Sequence, residues 1–235
     1  QLPSGGIFYK NKKKSVKIGY LTASDENIIM SGFNTPNKEN TILMLIRNKM
    51  YESDIRPEEL LDGDIEAILI FLRNTSFGSE YTFNLTDPVT NKPFSSTVIL
   101  DELNIIKPET SPDENGLYTV KLPKSGLTVK LKPLTFGDSI EINRMVDSYP
   151  QGRIAPRISW RLAKQIVELD GSTDRAKISQ FSESMPIMDS KFIRSFMNNN
   201  EPRLDLSKEI IAPSGERVNV NVNFGVEFFR PFFGI

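Results

Sequence analysis

Val129-Lys130-Leu131-Lys132-Pro133-Leu134-Thr135, with Asp138 three residues on, decides how the chain is read. A short alternating strand runs through a proline into a Thr-x-x-Asp start, where hydroxyl and acid cap the first N–H groups of a helix. The same order occurs earlier, in Val16-Lys17-Ile18-Gly19-Tyr20-Leu21-Thr22 followed by Asp25. Upstream of each lies a related turn, Leu2-Pro3-Ser4-Gly5 in the first case and Leu122-Pro123-Lys124-Ser125-Gly126 in the second. Internal repeats reset a fold reading before single elements are weighed. Two copies suggest two related halves, although strand-to-capped-helix junctions share such features on their own.

Around the first copy, Ile7-Phe8-Tyr9 and Ser15 to Leu21 read as short strands flanking a lysine-rich tip, Lys10 to Lys14. Thr22 opens a helix through Ile28, Ile29 and Met30, and Ile42 to Met50 spaces its apolar residues as a second. Pro57-Glu58-Glu59 opens a third, with Leu60, Leu61, Ile65, Ile68, Leu69 and Leu72 on its buried face. Glu80 to Leu85 and Phe94 to Leu100 then alternate as strands around the turn Asp87 to Pro93. Lys107 to Gly116 is proline-rich and acidic, and reads as a linker. The expected division is therefore 1–106, a linker over 107–116, and 117–235.

The second half reads as helices over Thr135 to Val146, Ala155 to Leu169, Lys177 to Ser184 and Asp189 to Met197. A hairpin follows, Glu209 to Ile211 and Val218 to Phe224 around Ala212-Pro213-Ser214-Gly215. The expected class is α+β: short β-hairpins packed with helices, closing in a hairpin and an aromatic tail.

Composition narrows the chemistry. The 235 residues include no Cys and no His, which leaves no thiolate, no imidazole shuttle and no zinc site of cysteine or histidine. Lys and Arg number 29 against 30 acids, so the chain as a whole exerts no pull on polyanions. The longest apolar run, Ala67 to Leu72, falls far short of the roughly 18 residues of a membrane span. An intracellular protein without a membrane span is expected.

Lys10, Lys12, Lys13, Lys14 and Lys17 could grip phosphate, but only Phe8 and Tyr9 lie near enough to stack bases; a solvated tip is the plainer reading. Asp62, Asp64 and Glu66 lack the glycine and remaining ligands of a calcium loop. Lys124 and Ser125 are adjacent, and neighbours in a strand or turn rarely meet side chain to side chain. No phosphate-binding glycine loop or dinucleotide fingerprint occurs. No catalytic residue, metal ligand or cofactor is assigned. Phe228, Phe229, Phe232 and Phe233, broken by Arg230-Pro231, are unlike the rest. Burying one such ring is worth roughly 1.5–3 kcal/mol, so the tail either folds over its own core or anchors in a partner. The candidate contact residues are Phe228, Phe229, Arg230, Phe232 and Phe233, with Lys12, Lys13 and Lys14.

Three sets of residues carry a family resemblance. Leu2-Pro3-Ser4-Gly5-Gly6-x-Phe8-Tyr9 precedes Leu21-Thr22-x-x-Asp25-Glu26; Leu60-Leu61-x-x-Asp64 precedes Phe71-Leu72-Arg73 and Phe77-Gly78-x-x-Tyr81; and Phe228-Phe229-Arg230-Pro231 closes the chain. In this order they resemble baseplate hub and hub-assembly proteins of T-even-type contractile-tailed phages. Where relatives of that type carry paired cysteines, this chain has Asp87 to Asn91 or Pro213 to Gly215, so its turns must hold their hairpins without zinc. The resemblance implies a non-catalytic structural protein of the tail baseplate, present in the host cytoplasm during assembly. Its partners would be other tail or baseplate proteins, the tape-measure protein among them. A transient chaperone for hub or tape-measure proteins is the alternative, and a nucleic-acid-binding module working through the lysine tip is a third.

Overall fold

The computed structural model describes residues 1–32, 35, 38–51 and 54–229. Arg230, Phe232 and Phe233 lie outside the described residues. Capping pairs and prolines cut the chain into short helices: α1 (Ala23–Gly32), α2 (Lys38–Lys49), α3 (Asp62–Phe77), α4 (Phe136–Asp147), α5 (Arg157–Gln165), α6 (Arg175–Ser184) and α7 (Ile187–Asn200). Small antiparallel sheets lie between them, and the class is α+β as expected.

The order of elements repeats. Lys17–Ile18, α1, α2 and Met50–Tyr51 follow one another, the two strands pairing antiparallel. Thr128–Leu131, α4, α5 and Ile166–Leu169 do the same. The local bonds match as well. Thr22 donates its N–H and its hydroxyl to Asp25 Oδ2 at 2.7 and 2.6 Å, and Thr135 donates both to Asp138 Oδ2 at 3.2 and 3.1 Å. The Gly19 N–H reaches the Lys49 carbonyl at 2.8 Å, and the Lys132 N–H reaches the Gln165 carbonyl at 2.9 Å. Each copy is followed by helix and then by hairpin: Glu80–Thr86 with Pro93–Ile99 after α3, Ser207–Ile211 with Arg217–Asn221 after α6 and α7.

The described residues form two compact units that interleave along the sequence. The first takes Gln1–Val16, Ser53–Ile65 and Lys107–Arg203; the second takes Lys17–Glu52, Glu66–Ile106 and Leu204–Ile235. In the first unit a three-stranded sheet runs in the order Tyr118–Lys121, Thr128–Leu131, Ile166–Leu169. Its core joins Tyr118, Leu122, Val129 and Leu131 to Leu162, Ile166, Ile178, Ile193 and Met197 from the helices and the third strand. The Lys107–Gly116 segment is tied into this unit: the Thr110 N–H donates to Asn200 Oδ1 at 2.7 Å, and the Asn115 and Leu117 N–H groups close a turn on Asp113 Oδ1.

The second unit buries Ile29 from α1, Ile42, Leu45 and Ile46 from α2, and Ile68, Leu69 and Leu72 from α3. Lys49 forms a buried ion pair with Asp25. Burial pushes Asp25 up, but Lys49 and the Thr22 bonds outweigh it and hold the carboxyl below its usual range.

Three expectations need correction. Ile7-Phe8-Tyr9 forms no strand; residues 3–11 are a run of turns, and Lys17–Ile18 pairs with Met50–Tyr51 instead. The turns follow from Gly5 and Gly6 at φ +58° and +77°, a backbone that side-chain-bearing residues rarely adopt. The long helix expected to end at Leu169 stops at Gln165, because Ile166-Val167-Glu168-Leu169 takes the free edge of Thr128–Leu131. The helix expected from Pro57 is one 3-10 turn, Pro57–Glu59, ahead of α3. Leu60 and Leu61 are drawn out between them: the Leu60 carbonyl accepts from the Phe136 N–H at 2.7 Å, and Leu61 bridges Thr135.

Candidate functional site

Several of the residues that carry the resemblance meet in two buried polar knots, one in each unit. In the first unit the knot is Asp64, in the opening turn of α3 and without solvent exposure. It accepts from the Ser4 N–H at 2.9 Å, from the Ser4 hydroxyl at 2.6 Å and from the Tyr9 hydroxyl. Tyr9 Oη in turn accepts from the Leu61 N–H at 3.0 Å. Leu2-Pro3-Ser4-Gly5-Gly6-x-Phe8-Tyr9 and Leu60-Leu61-x-x-Asp64 are thus two sides of one clasp. Burial pushes Asp64 above the usual carboxylate range against the bonds that favour its ionised form. Burial and that carboxylate together raise the Tyr9 phenol, which stays protonated and donating.

The second copy of the turn repeats this chemistry. The Lys124 and Ser125 N–H groups donate to Asp189 Oδ1 and Oδ2 at 2.7 and 2.9 Å. Asp189 is also fully buried and also lies in the first turn of a helix, α7. Ser125 is engaged through its backbone there, as a turn residue.

In the second unit the knot is Arg73, also without exposure. Its guanidinium donates to the Phe228 carbonyl at 3.1 Å, to the Glu80 carbonyl at 2.6 Å and to the Gly78 carbonyl. It lies 5.4 Å from the Tyr81 ring centroid and 5.7 Å from that of Phe228. Phe228 packs edge-on to Phe224 and Phe229, each 4.9 Å away between centroids. A cation held by carbonyls and ring faces needs no carboxylate partner. Phe228 and Phe229 are 0% and 1% exposed, so of the two readings for these residues the structure has the fold-back. Their rings pack against one another and against Phe224 and Tyr81 of their own unit.

Two turns named in the sequence reading are joined as well. Asp87, at the first hairpin turn, accepts at Oδ1 from the Val89 and Thr90 N–H groups at 2.9 and 3.0 Å. Its Oδ2 accepts from the Ser214 N–H of the second hairpin turn at 2.8 Å. These backbone donors hold its carboxyl down at about 2. A carboxylate and three amides thereby close the two turns.

Two ammonium groups of the lysine tip, those of Lys12 and Lys13, are engaged within the chain. Lys12 Nζ donates to the Ile7 and Glu114 carbonyls at 3.0 and 2.5 Å. Lys13 Nζ pairs with Asp54 at 2.8 Å, and the Lys14 carbonyl accepts from the Leu2 N–H at 2.9 Å. Asp62 and Glu201 make a further polar cluster in the first unit. Asp62 reaches solvent, yet the protein packed about its carboxyl pushes it up to about 6, against a 3.0 Å bond from Ser139 Oγ and the charge of Arg161. Burial and the charge of Asp62 push Glu201 up to about 7, opposed by Arg161, Arg203 and Gln165. Among the described residues no group of three or more acids could hold a metal ion, and no helix is long and apolar enough to cross a membrane.

Sequence reasoning quoted Asp64 and Arg73 without their roles. The signal was present: Arg73 continues the buried stripe of α3 at Ile65 and Leu69, where a cation needs a reason. The partners were not readable, since Phe228 is 155 residues away.

No curated protein and no solved structure matches the chain. The family of the T4 bacteriophage base plate protein matches it over residues 7–230, a span that takes in the Asp64 clasp from Tyr9 onward and the whole Arg73 knot. The baseplate resemblance read from the sequence is therefore correct at the level of the family. The chain belongs to the T4 bacteriophage base plate protein family, whose place is the phage tail baseplate.

Proposed function

We propose that this chain is a non-catalytic structural component of the baseplate hub, working through protein–protein contacts in tail assembly and remaining in the finished particle. One observation carries the reading: large apolar side chains stand in solvent while the polar residues of the knots are turned inward. In the first unit Ile154 and Ile187 are 95% and 82% exposed, with Ile158 and Met188 beside them in sequence also exposed. Apolar side chains standing this far into solvent gain from being covered by a partner, and Arg153 and Arg157 around Ile154 supply a charged rim. The partners are neighbouring tail or baseplate proteins, the tape-measure protein included, met in the host cytoplasm as the tail is built.

The test is complementation of a phage lacking the gene with Ile154→Asp and Ile187→Asp variants. The reading expects folded protein, as judged by circular dichroism, and a loss of baseplates containing it. Baseplates formed at the wild-type level by both variants would refute it. A gene required for baseplates whose product is missing from the finished ones would favour the chaperone. Nucleic-acid binding gains no support from Lys12 and Lys13, whose ammonium groups are held by carbonyls and by Asp54.

A further inference from the structure

The hairpin Glu80–Thr86 with Pro93–Ile99 is a two-stranded sheet of regular register, seven residues a side. Which backbone groups face its edges follows from the ends of the ladder. The Asp87 N–H donates to the Lys92 carbonyl and the Leu100 N–H to the Ser79 carbonyl, both at 2.9 Å. Hydrogen-bonded pairs alternate along an antiparallel ladder, so Tyr81–Val98, Phe83–Ser96 and Leu85–Phe94 exchange the internal bonds. The N–H and C=O groups of Ser95, Thr97 and Ile99 therefore point away from the partner strand. Among the described residues none of these groups meets a backbone partner.

The two edges differ. On the Glu80–Thr86 side the Glu80 carbonyl is taken by Arg73 and the strand carries a charge. Pro93-Phe94-Ser95-Ser96-Thr97-Val98-Ile99 carries no charge, no bulge, and no proline after its first residue. Proteins commonly guard an open edge with lysine, proline, a bulge or a covering element, because a bare one templates pairing with another chain. The side chains of this strand also alternate, with Ser95 and Thr97 exposed and Phe94, Ser96 and Val98 half-buried.

We propose that the Pro93–Ile99 edge is a β-augmentation site, which accepts an extended strand of a neighbouring baseplate polypeptide as the third strand of this sheet. Main-chain bonds to Ser95, Thr97 and Ile99 would supply affinity, and side-chain alternation the choice of partner. The segment that fits places apolar side chains on the face shared with Phe94 and Val98, and small hydroxyl or amide side chains beside Ser95 and Thr97. The proposal rests on the baseplate reading and goes further, in naming the edge and the form of the partner.

Ser95→Pro and Thr97→Pro remove outward donors while leaving the internal ladder its own. Thr97→Val removes only the hydroxyl, whose 2.9 Å contact with Thr82 lies within the hairpin. Purified wild-type protein and baseplates containing it are compared by hydrogen exchange, and variants are scored for incorporation into baseplates. The expected result is fast exchange at Ser95, Thr97 and Ile99 in the free protein and slow exchange in baseplates, with Phe94, Ser96 and Val98 slow in both. Incorporation should fall about tenfold per donor lost and be unchanged for Thr97→Val. Proline variants incorporated as well as wild type, or outward amides equally fast in baseplates, would overturn the proposal while the baseplate role stood. A wild-type protein absent from baseplates would instead sink the role itself. Free protein that is already a dimer with these amides slow would show a second copy as the occupant, and overturn the proposal too.

Discussion

Replacing Arg73 with Met keeps most of the aliphatic stem and removes the guanidinium, which isolates what the cation does. Three carbonyls lose their donor. That of Phe228 is buried and left unsatisfied, at a cost of about 1–3 kcal/mol, whereas those of Gly78 and Glu80 are part-buried and can recover water, losing about 1 kcal/mol each. Loss of the charge above Tyr81 and Phe228 adds about 0.5–2 kcal/mol. Together these are about 3.5–7 kcal/mol; removing the guanidinium also relieves its own burial cost, so the expected net loss is about 4 kcal/mol, and it falls on the segment that Arg73 holds. The readout is amide exchange of Phe228 and Phe229, which should speed up by about 10³-fold, since each 1.4 kcal/mol is tenfold. The Tyr118–Lys121 strand of the first unit is the internal reference and should keep its protection. Acceleration of less than tenfold at Phe228 and Phe229 would refute the idea that Arg73 fastens them.

Other consequences are equally open to measurement. Asp62 and Glu201 have carboxyl groups raised to about 6 and about 7, so the folded state binds their protons more tightly than the unfolded one. The stability they lend is full below about pH 4 and lost as pH rises through 6 and 7; melting temperature should fall over that window, and flatten with Asp62→Asn and Glu201→Gln together. Asp87 has the opposite sign: its carboxyl is lowered to about 2, so its contribution is present above about pH 4 and lost as pH falls through 2. Asp87→Ala should speed exchange of the Val89, Thr90 and Ser214 amides, and unchanged rates would deny the clasp between the turns. Gly63→Ala would set a methyl 2.3 Å from the Pro202 carbonyl oxygen and 2.8 Å from Arg203 Cα. Neither backbone atom can yield easily, and urea denaturation should show a loss of about 1–3 kcal/mol.

The parts of this fold legible in the sequence are those set by local chemistry. Thr22 and Thr135 cap their helices with acids three residues on, as their spacing announced, and the Asp87-to-Pro93 turn joins two alternating strands. What failed was decided by distant residues. Ile7-Phe8-Tyr9 has strand composition, but Asp64 captures Ser4 and Tyr9 and winds the segment into turns. Ile166 to Leu169 continues the helical period of α5, yet the neighbouring edge of Thr128–Leu131 offers it a ladder. Tertiary pairing overrode propensity in both cases. The need of Phe228 and Phe229 for burial was legible, but the cation in the middle of α3 that holds Phe228 was not.

The central claim is that this protein is built into the phage tail baseplate and stays there. Quantitative mass spectrometry of purified, washed particles, set beside assembly intermediates from the same lysate, tests it most directly. The account predicts a fixed, stoichiometric amount in finished particles, equal to that in the intermediates. Abundance in intermediates with absence from finished particles would contradict it.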